Sequence, residues 1–270
     1  MKVRRPQFDF SGTPAHWCHA SEFAQGMNAA SLWIPHLERF LNRVLAKALT
    51  RLDPDDPGTA RIKADVRTFI RQESNHYALH DAFNRILTRN GYDAPALEAL
   101  FEADFERLFR TKSLPFLAAY CEGFETLGPP HAIVWLDEIG DLLEGARPEV
   151  VGLWKWHLME EYEHRAVCHD VFHAVHGGYF MRIYGFFFQL LHLRGFTAKA
   201  LRMLQHKDRA SMTADEVAAS KRRQRAVNRR IARLILPRLF KVLSPFYDPR
   251  RSPEPEAYRS QMALVERGLA

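Results

Sequence analysis

Apolar residues recur at three- and four-residue intervals along most of the chain, and no stretch alternates apolar and polar positions as a half-buried strand would. The pattern predicts an all-α protein. A helix is expected over 31–52, with Pro35 in its first turn, where the missing N–H costs nothing. Asp53-Pro54-Asp55-Asp56-Pro57-Gly58 breaks it. The next helix is expected over 59–89, stopping at Asn90-Gly91, and a shorter one over 95–111. Another starts near Ser113, is interrupted or kinked by Gly128-Pro129-Pro130, and resumes to about 143. A fourth long helix fits 148–175 and closes at His176-Gly177-Gly178. An apolar helix over 179–194, a basic helix over 213–243, a proline-rich tail and a last short amphipathic helix follow. This divides the chain into an N-terminal arm (1–20), a bundle (21–176) and a helical C-terminal extension packed on it (177–270).

The bundle carries a repeated chemistry. Glu-x-x-His occurs as Glu73-Ser74-Asn75-His76 and as Glu161-Tyr162-Glu163-His164. Residues i and i+3 share a helix face, so each pair can reach one point. Each copy is preceded, one helix earlier, by a Glu in an apolar stretch, Glu38 and Glu122, at separations of 35 (73 − 38) and 39 (161 − 122). Two Glu plus two Glu-x-x-His, all projecting inward, is the ligand pattern of a carboxylate-bridged two-metal centre in a ferritin-like four-helix bundle. Charge supports it. Four buried carboxylates repel one another and lose hydration, and two divalent ions neutralise them. Roughly one Glu-x-x-His is expected by chance in such a chain, so the doubling and the flanking glutamates carry the argument.

His157 lies four residues before Glu161 and seven before His164, on one stripe, and is expected to be a further ligand. His80, Glu160 and Asp170 are expected behind the ligands, hydrogen-bonding them. Glu163 is expected to face elsewhere, and Tyr77, Tyr120 and Cys168 to pack in the core. Phe186-Phe187-Phe188 could border a substrate pocket, with ordinary core packing the simpler role.

Composition adds limits. The three cysteines, Cys18, Cys121 and Cys168, cannot all pair and form no Cys-x-x-Cys, which suits a reducing compartment. No signal peptide is expected, and the apolar run 183–193 is too short to span a bilayer. A cytoplasmic location is therefore expected, peripheral to the inner membrane surface if the basic region engages it. The net charge of +6 is concentrated over 199–241, a solvated helix face or a contact for an acidic membrane surface or acidic partner. No motif for specific nucleic-acid reading is present. Nothing in the pattern excludes a homodimer.

The chain resembles a bacterial family labelled "predicted metal-dependent hydrolase". The likeness rests on Ile34-Pro35-His36-Leu37-Glu38-Arg39-Phe40, Gln72-Glu73-Ser74-Asn75-His76-Tyr77-Ala78-Leu79-His80, the Glu122 segment, and Trp154-Lys155-Trp156-His157-Leu158-Met159-Glu160-Glu161-Tyr162-Glu163-His164. Ile34 and Leu37 depart from the family's usual Phe-Pro-x-Gly-Glu, and Gly123 stands where the family tends to carry His. The metal motif is also similar to that of di-iron aryl-amine N-oxygenases. That resemblance implies Glu38, Glu73, His76, Glu122, His157, Glu161 and His164 as ligands of two iron ions, with manganese or zinc satisfying the same donors. The expected activity is an oxidase or oxygenase acting on a small hydrophobic organic substrate with O2 and an electron donor. The alternatives are hydrolysis by a metal-bound hydroxide, with Glu160 or Glu163 as base, and a non-enzymatic metal-binding bundle.

Overall fold

A computed structural model describes residues 1–267, and among them the chain is helical with no strand. The helices run in order as α1 (Ser21–Ser31), α2 (Ile34–Leu49), α3 (Pro57–Arg89), α4 (Ala94–Thr111), α5 (Leu114–Glu125), α6 (Gly128–Ile133), α7 (Pro148–His164), α8 (Val167–Val175), α9 (Tyr179–Arg209), α10 (Ala214–Leu239) and α11 (Tyr258–Glu266). Local chemistry sets several of these ends. The Asp56 side chain accepts from Gly58 N–H ahead of Pro57, capping α3. Thr213 and Glu216 form a reciprocal capping box that starts α10. Gly128-Pro129-Pro130 ends one helix and begins another, since prolines fit a first turn and disrupt a helix interior.

Three elements differ from the periodicity. The first expected helix, 31–52, is α2 alone, and an unexpected helix, α1, precedes it across a turn at Leu32-Trp33. The helix expected over 148–175 is broken at Arg165-Ala166, directly after His164. The apolar helix continues to Arg209, because its second half buries Phe196, Ala200 and Leu204 behind a polar exterior.

Helices α2, α3, α5 and α7 surround the centre of the molecule, and α9 lies along the outside of α5. That contact is intimate. A Cβ on Gly123 would sit 2.8 Å from Phe186 Cα, and one on Gly185 would sit 2.6 Å from Ala119. The helix backbones touch where both side chains are absent. Gly185→Ala should therefore destabilise the protein by about 1–3 kcal/mol despite alanine's better helix propensity. A melting temperature lowered by several degrees would bear this out, and an unchanged one would not. Within α9, Phe186 and Phe188 pack inward and Phe187 faces outward.

The N-terminal arm is fixed to the bundle. Trp17 is 1% exposed, donates its indole N–H to Asn28, and Phe10 packs edge-on to Phe83. Several cations of α10 are used internally, with Arg223 on Glu22, Arg230 on Asp141 and Arg238 on Glu138. Lys221, Arg222, Arg225, Arg229 and Arg233 remain exposed. Among the described residues no helix is long and apolar enough to cross a membrane.

Candidate metal centre

Glu38 on α2, Glu73 and His76 on α3, Glu125 at the end of α5, and His157, Glu161 and His164 on α7 converge in the bundle interior. All are 0–2% exposed. Their donor atoms form two groups, Glu38, His76, His157 and Glu161 in one, Glu73, Glu125, Glu161 and His164 in the other. Glu161 belongs to both. Its Oε1 lies 3.4 Å from His157 Nε2, 3.7 Å from His76 Nδ1 and 3.8 Å from His164 Nδ1. Glu73 Oε1 is 2.8 Å from His164 Nδ1 and 3.7 Å from His76 Nδ1. Two donors each about 2.1 Å from one ion are separated by about 3.0 Å in an octahedral and about 3.4 Å in a tetrahedral arrangement, so these spacings fit shared ions.

The hydrogen bonds aim one nitrogen of each imidazole inward. His76 donates from Nε2 to Glu160 at 3.1 Å, which turns Nδ1 towards Glu73 and Glu38, where it becomes a metal donor on releasing its proton. His164 donates from Nε2 to Gln72 Oε1 at 3.2 Å, again turning Nδ1 inward. For His157 the orientation follows from a chain. Asn84 donates its Nδ2 to the Ser31 carbonyl, so its Oδ1 accepts from the Ser31 hydroxyl. Ser31 Oγ must then accept from His80 Nδ1–H at 2.8 Å, and His80 Nε2 accepts from His157 Nδ1–H at 3.0 Å. His157 Nε2 is left free towards Glu161. A second nitrogen tied to an outer partner is how metal-bound imidazoles are oriented.

The inward atoms are orphans otherwise. Both oxygens of Glu38, Glu73 and Glu125, Glu161 Oε1, His76 Nδ1 and His164 Nδ1 are buried without a hydrogen-bond partner. Buried polar atoms are normally satisfied, and so many in one place fit a cation. Titration reflects the same crowding. Burial, then repulsion from Glu73, lifts Glu38 well above the ordinary carboxylate range and Glu161 to about 7. Burial and Glu161 do the same to Glu125. Glu73 resists burial because His164 and His76 adjoin it, and it sits at about 2.

A family profile described as predicted metal-dependent hydrolase matches residues 2–252. The chain belongs to that family. No curated protein and no solved structure matches it. Membership in a metal-dependent family agrees with two buried carboxylate–histidine groups, and leaves the identity of the metal open.

The family member's geometry corrects two expected positions. Glu122 does not join the centre. It accepts from His169 Nδ1 at 3.2 Å and lies 3.8 Å from the Arg182 guanidinium. Glu125, one turn further along α5, takes the place expected for it, and the four-carboxylate charge balance is kept. Asp170 is not behind a ligand either. The break at Arg165-Ala166 separates it from His164, and it pairs with Arg61 and Arg250. His80 and Glu160 do lie behind His157 and His76. Besides Glu125, two residues had not been anticipated. Gln72 orients His164, and Arg4 of the N-terminal arm holds Glu160 at 3.2 Å and Glu163 at 3.0 Å. Tyr120 bonds His192, and Tyr77 lies under the Arg39 guanidinium.

Proposed function

We propose that this chain is a two-metal oxidoreductase, with two iron ions held by Glu38, Glu73, His76, Glu125, His157, Glu161 and His164. Dioxygen and a small organic molecule are its substrates, and an external donor supplies electrons. The donor set carries this reading, four carboxylates and three inward imidazole nitrogens in two buried groups that share Glu161. Each ion is offered four residues, Glu161 being common to both, and the second carboxylate oxygens extend that set beyond the tetrahedral preference of zinc to one suited to iron or manganese. Bound iron would supply dioxygen binding and redox electrons. The chain's own residues hold and seal. Phe69 covers His164 at 4.6 Å and Trp156 stands edge-on to His76 at 4.7 Å, excluding water. Glu160, fixed by Arg4, keeps the His76 Nε2 proton outward.

A second reading, hydrolysis at a metal-bound hydroxide, is favoured by the description of the family. One experiment separates the two. Anaerobic loading should give about two Fe(II) per chain, and admitting O2 should change the optical spectrum in stopped flow. Zinc retention with esterase or phosphatase turnover, and no response to O2, would decide for hydrolysis. Iron uptake far above that ratio would decide for storage.

A further inference from the structure

The turn Gly128-Pro129-Pro130 has the metal centre on one side. A Cβ on Gly128 would lie 3.1 Å from Glu161 Cβ, and Glu125 closes α5 just before it. Its other side is a cavity of about 370 Å³, with Thr126, Pro129, Pro130 and Ile133 forming the near wall. That volume lies in the range of small-molecule sites. The far wall is the end of α10 and the chain beyond it, including Val242, Ser244 and Tyr247. The cavity and the centre therefore share one thin wall made of a single turn.

The charge of the cavity is one-sided. Arg238, Lys241 and Arg251 line it against one acid, Asp248. Arg238 is committed to Glu138, and Asp248 to Arg250. Lys241 and Arg251 are exposed and form no ion pair among the described residues. The Tyr247 ring rests on His169, and its hydroxyl makes no hydrogen bond among the described residues. Phe246 lines the same space while 85% exposed, which marks the mouth.

We propose that this cavity binds an amphiphilic organic anion as the substrate of the metal centre, an assignment that rests on the two-metal reading above. Its apolar body lies against Pro129, Pro130, Ile133 and Val242. Its carboxylate or phosphate is held by Lys241 and Arg251, with the Tyr247 hydroxyl as a further donor. Only the turn from Thr126 to Pro130 then stands between the body and Glu125 and Glu161. Both cations sit at the surface, so reversing them leaves the core intact.

The test uses octanoate as the probe on the full-length chain loaded with cobalt(II), whose visible spectrum reports on its ligands. Calorimetry should show octanoate binding, octan-1-ol binding far more weakly, and an affinity loss of about tenfold or more in Lys241→Glu and in Arg251→Glu. Octanoate should also shift the cobalt bands of the wild type. Equal octanoate affinity in the wild type and both variants overturns the assignment, as does octanoate binding that leaves a well-formed cobalt spectrum unmoved. Failure of the metal reading is seen separately, as the absence of any cobalt spectrum.

Discussion

Glu161→Ala should abolish stoichiometric metal binding, leaving close to none of the roughly two ions expected per chain. Glu161 is the one carboxylate common to both donor groups, so its loss opens both positions at once. It also leaves Glu38, Glu73 and Glu125 facing one another across a cavity without a cation. Neighbouring substitutions sharpen the result. Glu125→Ala removes a donor from one group only, and should retain about one ion, in the group of Glu38, His76 and His157. Glu122→Ala should keep both ions and lower only the melting temperature, because His169 loses its hydrogen-bond acceptor and the buried Arg182, still bonded to the Val242 and Ser244 carbonyls, loses its counter-charge. Gln72→Ala should weaken metal affinity about 10–100-fold by freeing the His164 ring. Elemental analysis after dialysis reads all four. Full occupancy in Glu161→Ala would refute the shared ligand, and metal loss in Glu122→Ala with full occupancy in Glu125→Ala would restore the sequence expectation.

The exchange of Glu122 for Glu125 shows what periodicity could and could not supply. Both residues lie on α5, three apart, and so near one face. Glu122 sits within Tyr120-Cys121-Glu122-Gly123-Phe124, the more apolar setting, and it is indeed buried, though against Arg182. Burial alone could not tell a ligand from half of an internal ion pair. Spacing held a signal, since 161 − 125 = 36 matches the 35 of the other half better than 39 does. The doubled Glu-x-x-His was legible because helical geometry fixes i and i+3 together wherever the helix lies. The His157–His80–Ser31–Asn84 chain was legible only in part, since it crosses α1, α3 and α7, and sequence spacing carries no information about which turns of separate helices meet. Arg4 was invisible for the same reason. Its arm has no period to read, and its position depends on backbone contacts from Lys2 and Arg4 to Gln72 and Asn75.

The metal-free protein should lose stability as pH rises above about 6.5, and bound metal should reverse that trend. Glu38 and Glu125 have carboxyls raised well above 4.5 by burial and by neighbouring carboxylates, and Glu161 is raised to about 7. His76 is raised well above 6.5, since Glu160 and Glu73 outweigh its burial. Groups raised in this way contribute stability that is complete below the unfolded value and lost as pH climbs through the folded one. Above 6.5 the unfolded chain has released these protons while the folded chain still holds them, so each retained proton lowers stability by about 1.4 kcal/mol per pH unit. Below 6.5 the signs oppose. His80, pushed to about 3 by burial and by His76, and His157, also lowered, are neutral inside the fold. Their contribution is present above 6.5 and fades as pH falls, partly cancelling the carboxyls, so the acid side of the profile should be shallow. Metal binding requires the same donors deprotonated, so affinity rises with pH over the range in which the metal-free fold weakens. Thermal unfolding between pH 6 and 9, with EDTA and with saturating metal, should give curves that diverge as pH rises. Parallel curves would mean that the protons do not reside on these carboxyls, and that the buried charges are balanced by something other than a metal ion.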